Sequence, residues 1–241
     1  MNKKRILVSG ASGDFGKSMI KCFDNTKFDI FYASKSQMDV TSIKQIERVV
    51  DDFNPDYFIH AAALTRPMIY HETHPSKSIL NNIVGTSNVT AVCCNKKIKL
   101  IYLSTDHVYK GDAGNYSEDD ELFPVNSYGW SKLGGECAVQ IYEHSCILRL
   151  AMVKYPFPHN KAIVDSYKSS IFIDDVVKIL DKFLDKKGVF NIGKERSSIY
   201  DFAKKSNNNI EKILLKNIKS VNMPKDSSMN LKKMKEVLEN D

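Results

Sequence analysis

Between Val8 and Gly16 the chain reads VSGASGDFG, three glycines at three-residue spacing directly after the apolar run ILV. A glycine turn that ends a buried strand and opens a helix is a ready phosphate cradle. The helix N-terminus offers unpaired N–H groups and the positive end of its dipole. In such a turn Gly10 permits the tight reversal, Gly13 lets a pyrophosphate approach the backbone, and Gly16 lets helix and strand pack closely. Ser12, Asp14 and Phe15 fill the turn, and Met19, Ile20 and Phe23 follow at helical spacing. A turn of this kind can serve structure alone; a strand before it and a helix after it are what a nucleotide site requires.

The rest of the chain alternates strand and helix. FDIFYA is a second strand. Ile43, Ile46, Val49, Val50 and Phe53 form the inner face of a helix that Thr41 can cap and Asn54-Pro55-Asp56 ends. YFIHAAA is a third strand, a helix covers about Ile79 to Cys94, and KLIYLST is a fourth strand. After a polar loop to about Pro124 a helix carries YGWSKLGGECAVQIY, and CILRLAMV is a fifth strand. This alternation predicts an α/β fold, a Rossmann-type doubly wound parallel sheet with helices on both faces. After Val153 the pattern loosens. Asp174 or Asp175 caps a helix containing Val176, Val177, Ile179, Leu180 and Phe183. GVFNIG is a short strand, Ser197 or Ser198 starts a helix, and a Lys-rich helix follows from about Asn230. The expected division is a dinucleotide-binding domain over 1–153, carrying the catalytic groups, and a small, reduced substrate-binding lobe over 154–241. Part of 171–193 returns to the first domain.

Composition narrows the function classes. No apolar run is long enough to span a bilayer, so the expected location is cytoplasmic, with no membrane partner. Cys22, Cys93, Cys94, Cys137 and Cys146 lack a Cys-x-x-Cys pair and read as buried free thiols. The six histidines make no metal set. The net charge of +6 falls in Lys178–Asp241, where 15 basic residues face 9 acidic ones. No aromatics interleave with them, so solvated helix faces are expected rather than a nucleic-acid groove.

The Gly-x-x-Gly-x-x-Gly spacing resembles the short-chain dehydrogenase/reductase superfamily, and other stretches agree. STDHVY ends the fourth strand, YGWSK places Tyr128 and Lys132 at Tyr-x-x-x-Lys spacing, NNIVGTSN points to Asn82, and FIDDVV resembles a segment of the extended branch. More narrowly, STDHVYKG and MPKDSSMNLKKMKEVL resemble dTDP-4-dehydrorhamnose reductases and their relatives, among them the non-catalytic β-subunit of methionine adenosyltransferase. The resemblance is strong over residues 5–150 and thinner beyond.

It implies a catalytic set of Thr105, Tyr128 and Lys132. Hydride transfer to a ketone leaves negative charge on oxygen, so a proton donor must lie within reach. Tyrosine, with a pKa of about 10, needs help at neutral pH. Lys132, one turn along the same face, is expected to lower it and to bind the nicotinamide ribose. Thr105 would hold the ketone oxygen. The implied cofactor set adds Ala61, Ala62 and Ala63 after the third strand, Asn82, and Asp39-Val40 beside the adenine. The second strand runs into Ser34-Lys35-Ser36 with no acid, which suits a 2′-phosphate and predicts NADPH over NADH. Thr65, Arg66, Asp106, His107 and Val108, with Tyr128, are the implied substrate residues; Arg66 can equally be solvated.

Two departures stand out. Only about twenty residues separate LRLAMV from IFIDDVV, where relatives carry markedly more. Met223-Pro224 stands where relatives often have Arg-Pro, leaving Lys225 as a weaker substitute. The expected function is NADPH-dependent reduction of a nucleotide-linked 4-keto-6-deoxy sugar in nucleotide-sugar and polysaccharide synthesis. The alternatives are an NADP-binding regulatory subunit with little catalysis and a nucleotide-sugar epimerase or dehydratase. A homodimer is the generic expectation for such an enzyme.

Overall fold

In the computed structural model, which describes residues 3–240, the first five strands are β1 (Lys4–Ser9), β2 (Phe28–Ala33), β3 (Tyr57–His60), β4 (Lys99–Leu103) and β5 (Ser145–Leu150). Short strands follow: β6 (Met152–Val153), β7 (Lys161–Ile163), β8 (Tyr167–Lys168) and β9 (Ile171–Phe172). The chain then returns through β10 (Gly188–Ile192) before β11 (Ser197–Ser198) and β12 (Glu211–Ile213). Six of these form one parallel sheet in the order β10-β5-β4-β3-β1-β2. From β1 the chain builds first outward to β2 and then the other way through β3. The switch point therefore lies between β1 and β3, where open α/β sheets bind ligands.

The helices are α1 (Asp14–Cys22), α2 (Ile43–Phe53), α3 (Met68–Thr73), α4 (Pro75–Ser78), α5 (Gly85–Lys96), α6 (Ser127–Gln140), α7 (Ile173–Ile179), α8 (Ile199–Lys204) and α9 (Lys232–Glu239). A π-helical turn, Ile79–Val84, joins α4 to α5. The central strands read as unbroken apolar runs because both faces are covered. Period-two alternation then sorts their side chains. Ile6, Val8, Ile59, Ile101 and Leu148 pack with Met19, Val176 and Val177. Leu7, Phe58, Leu100 and Ile147 pack with Ile46, Val50, Val89 and Val92 on the other face.

Several expectations are corrected. Ser42, not Thr41, is the N-cap of α2; the Thr41 N–H and hydroxyl instead donate to Asp39 Oδ1 at 2.9 and 2.8 Å. The N-cap of α7 is Phe172, and Asp174 lies inside its first turn, where it accepts bonds from Ser18 and Lys21 of α1. Ser198 does cap α8, accepting the Asp201 N–H at 3.0 Å. The fifth strand breaks at Ala151, after which β6 pairs with β9. Cys94 and Cys137 are exposed, so the thiols are free but not all buried.

The small lobe consists of the pairs β7–β12 and β8–β11 around Phe157, Ala162, Ala203 and Ile210. The expected division placed 194–241 in this lobe, yet α9 buries Met234 and Val237 in the main core. Among the described residues no helix is long and apolar enough to cross a membrane.

Candidate active site

At the end of β1, Gly10 has φ +77°, and a Cβ there would meet Ala62 N at 2.7 Å. A Cβ at Gly16 would meet Ala11 Cα at 2.5 Å. Both glycines are thus required by close packing, of the β3 end against the turn and of α1 against its approach. Gly13 is different: a Cβ there would touch only Gly10 O, at 3.2 Å. Gly13 is exposed and is the N-cap of α1 with no side-chain cap, so the turn presents bare backbone donors beside exposed Ser12. This fits a pyrophosphate. Asp14 pairs with Lys154 at 3.1 Å, and the Phe15 side chain lies in the core, which leaves only its N–H for a ligand.

The far wall of the switch point is Ala61–Ala63, half-buried. A chain of bonds that sequence reasoning missed holds it: Ala62 N donates to Ser9 Oγ at 3.2 Å. Ser9 Oγ and Thr86 Oγ1 flank the His60 ring nitrogens at 2.8 and 3.1 Å. Burial, reinforced by the Lys132 charge, pushes the His60 pKa down to about 3. Beyond β2, Ser34 Oγ donates to Gln37 Oε1 at 2.7 Å, and Lys35 pairs with Asp39 at 3.6 Å while staying 71% exposed. Hydrogen bonds from Thr41 and the charge of Lys35 outweigh desolvation and hold the Asp39 carboxyl below its ordinary pKa. Val40 is buried, and its side chain faces Gly85 at the start of α5.

Asn82 sits buried in the π-helical turn. Its Oδ1 accepts from Leu64 N at 2.7 Å, and its Nδ2 donates to Leu64 O and Ser131 Oγ, both at 2.9 Å. In this arrangement it clamps the loop after β3 to α6.

Thr105 follows β4 and caps a 3₁₀ turn over Asp106–Val108, its hydroxyl accepting from His107 N at 3.3 Å. Tyr128 lies in the first turn of α6, which Asn126 caps through Gly129 N at 2.9 Å. The Tyr128 ring is flanked edge-on by His71 and His107, with centroids at 5.1 and 5.6 Å. Burial pushes its phenol up to about 12; the neighbouring Thr105 hydroxyl and the Arg66 charge oppose this, and Asp106 adds to it. That direction reverses the one expected from the sequence. Lys132 Nζ donates to Leu103 O at 2.7 Å and lies 4.1 Å from the Tyr102 ring centroid. Burial brings its pKa down to about 7, against the pull of Glu136.

The expected substrate residues divide. Thr65 and Arg66 are exposed, though the Arg66 charge reaches Tyr128. Val108 is wholly buried in the main core and is a packing residue rather than a wall of the site. Asp106 and His107 are buried, and both contact Lys168, at 2.8 and 2.7 Å; Ser227 Oγ donates to Asp106 Oδ2 at 2.6 Å. Lys168 was missed because it lies in an irregular stretch with no periodicity. The MPKDSSMN stretch had carried a signal, without indicating what it would dock against.

Residues 4–164 match the family described as RmlD substrate binding domain. Methionine adenosyltransferase 2 subunit beta of Xenopus laevis is 32% identical over 158 residues, 62% of this chain and 47% of that protein. A dTDP-4-dehydrorhamnose reductase of Aggregatibacter actinomycetemcomitans is 31% identical over 134 residues, 55% and 45%. The chain spans about half the length of these curated relatives in the matched region. The crystal structure of dTDP-4-dehydrorhamnose reductase from Bacillus anthracis in complex with NADP superimposes with a TM-score of 0.87. It has 24% identity and covers 98% of this chain and 92% of that one. The family match takes in the glycine turn, Thr105, Tyr128 and Lys132 together, and the chain belongs to the RmlD substrate binding domain family.

Proposed function

We propose that this chain is an NADPH-dependent reductase of a nucleotide-linked 4-keto-6-deoxy sugar, working in the cytoplasm as a homodimer. The observation that carries the reading is the convergence of Thr105, which caps the turn after β4, with Tyr128, whose ring lies edge-on to His107 of that same turn, at the carboxyl end of the sheet that also opens the glycine turn. Relatives bearing the names dTDP-4-dehydrorhamnose reductase and dTDP-4-keto-6-deoxy-D-glucose reductase support the substrate class.

The backbone donors of Ser12, Asp14, Phe15 and Gly16 would hold the pyrophosphate, since Gly13 N already donates to Gly10 O, and Ser34 with Lys35 the 2′-phosphate, with Lys35 exchanging Asp39 for the stronger anion. When bound, the cofactor supplies the hydride. Tyr128, protonated at neutral pH as an ordinary tyrosine is, gives its phenolic proton to the substrate oxygen, and the Thr105 hydroxyl orients that oxygen. One observation favours a second reading, a cofactor-binding regulatory subunit: Lys132 is turned onto Leu103 O.

The test mixes the chain with NADPH and dTDP-4-keto-6-deoxy sugars and follows the reduced nicotinamide absorbance, with NADH in parallel. Turnover that favours NADPH is expected, and Tyr128→Phe should lower kcat by roughly 10²–10⁴ while NADPH binds within about twofold of wild type. Tight NADPH binding without turnover across such sugars would transfer the assignment to the regulatory reading.

A further inference from the structure

Lys168 reaches from β8 of the small lobe into the turn after β4. Its Nζ donates to Asp106 Oδ2 at 2.8 Å and lies 2.7 Å from His107 Nε2. The Lys168 and Asp106 side chains are only 11% and 3% exposed. Asp106 Oδ1 in turn accepts from Thr105 Oγ1 at 3.2 Å, and the His107 ring lies edge-on to Tyr128. Thr105 and Tyr128 are therefore each one contact away from a residue that Lys168 holds. A buried carboxylate needs a cation or a dense set of donors. Ser227 supplies one neutral donor to Asp106; Lys168 supplies the charge and reaches His107 as well.

We propose that Lys168 is a positioning residue of the active site, fixing Asp106 and His107, and through them Thr105 and Tyr128, so that docking of the small lobe completes the geometry for proton transfer. The kinetic half of this proposal rests on the reductase reading; the other half stands without it.

Loss of the Lys168 charge leaves Asp106 buried without a cation, and His107 is the nearest group able to become one. Burial and the Lys168 charge now hold the His107 pKa down to about 4, opposed by Asp106. The groups facing His107 are Lys168 from β8, Asp106 from its own turn, Tyr128 from α6, and Asn126, which caps α6 and carries no charge.

The experiment uses full-length Lys168→Met and Lys168→Arg. It reads the His107 imidazole by NMR across pH, NADPH affinity by titration, and kcat and KM separately. In Lys168→Met the His107 midpoint should rise by at least one pH unit. Its kcat should fall at least tenfold, while the NADPH dissociation constant stays within twofold. Lys168→Arg should restore the midpoint and most of kcat. A His107 midpoint that stays put in Lys168→Met, with only the melting temperature lowered, would overturn the proposal. If Lys168→Met does not fold, Lys168→Gln takes its place, since the amide still donates to Asp106 but carries no charge. If the wild type turns over no sugar, the reductase reading fails and the His107 titration alone decides the role of Lys168.

Discussion

Glu136→Gln is expected to destabilise the fold by about 3–5 kcal/mol, the usual cost of stranding a buried charge. At this chain length that lowers Tm by roughly 10 °C. Arg149 and Glu136 are 1% and 0% exposed. Arg149 Nε and Nη2 both donate to Glu136 Oε1, while its Nη1 donates to Tyr109 OH and Glu118 O, each at 2.9 Å. Burial works against the guanidinium charge, but Glu136 and Tyr109 more than restore it, leaving the Arg149 pKa above its ordinary value. Ser104 Oγ donates to the other Glu136 oxygen at 2.6 Å, so the pair that ties α6 to β5 also backs the residue before Thr105. Urea unfolding of the variant measures the loss. A change below about 1 kcal/mol would show that water or another acceptor reaches Arg149, and would refute a sealed pair.

Acidification from pH 7 to pH 5 should remove about 4 kcal/mol of stability through two histidines alone. His60 titrates at about 3 and His107 at about 4 in the folded protein, against about 6.5 for a free imidazole. The unfolded chain therefore takes up protons below pH 6.5 that the folded chain refuses. The stabilisation is complete above that value and is lost as pH falls toward the folded pKa values. At pH 5 each histidine contributes about 2 kcal/mol of the loss. Urea midpoints at pH 7, 6 and 5 give the slope, and His60→Gln should halve it. An unchanged slope in that variant would mean that His60 protonates readily in place and is not buried as described.

The central sheet and its glycine turn were legible because their signals are local: unbroken apolar runs, and three glycines between a strand and a helix. The lobe strands were not, since two- and three-residue pieces such as β8 and β11 fall below any periodicity window. Their pairing partners lie far off in the chain. Tyr-x-x-x-Lys spacing put Tyr128 and Lys132 on one helix but said nothing of where the lysine would turn. Its inward partners, Leu103 O and the Tyr102 ring, belong to β4, far from α6 in the chain. At α2 the capping preference selected the right residue class but not between neighbours, because Asp39 captures Thr41 and leaves Ser42 at the helix start. Asn82 was noted for its motif, and its actual partners, Leu64 and Ser131, come from two other segments.

Ser227 and Asp106 are 121 residues apart, and β10, the outer partner of β5, also comes from the last quarter of the chain. On the ribosome, a chain that has completed β5 carries Thr105, Tyr128 and Lys132 but exposes an unpaired strand edge and an unsupported Asp106. At usual synthesis rates of about 5–20 residues per second, some seconds separate that intermediate from the emergence of Ser227. A nascent chain would thus form its glycine turn well before the β5 edge is paired and Asp106 gains the Ser227 hydroxyl.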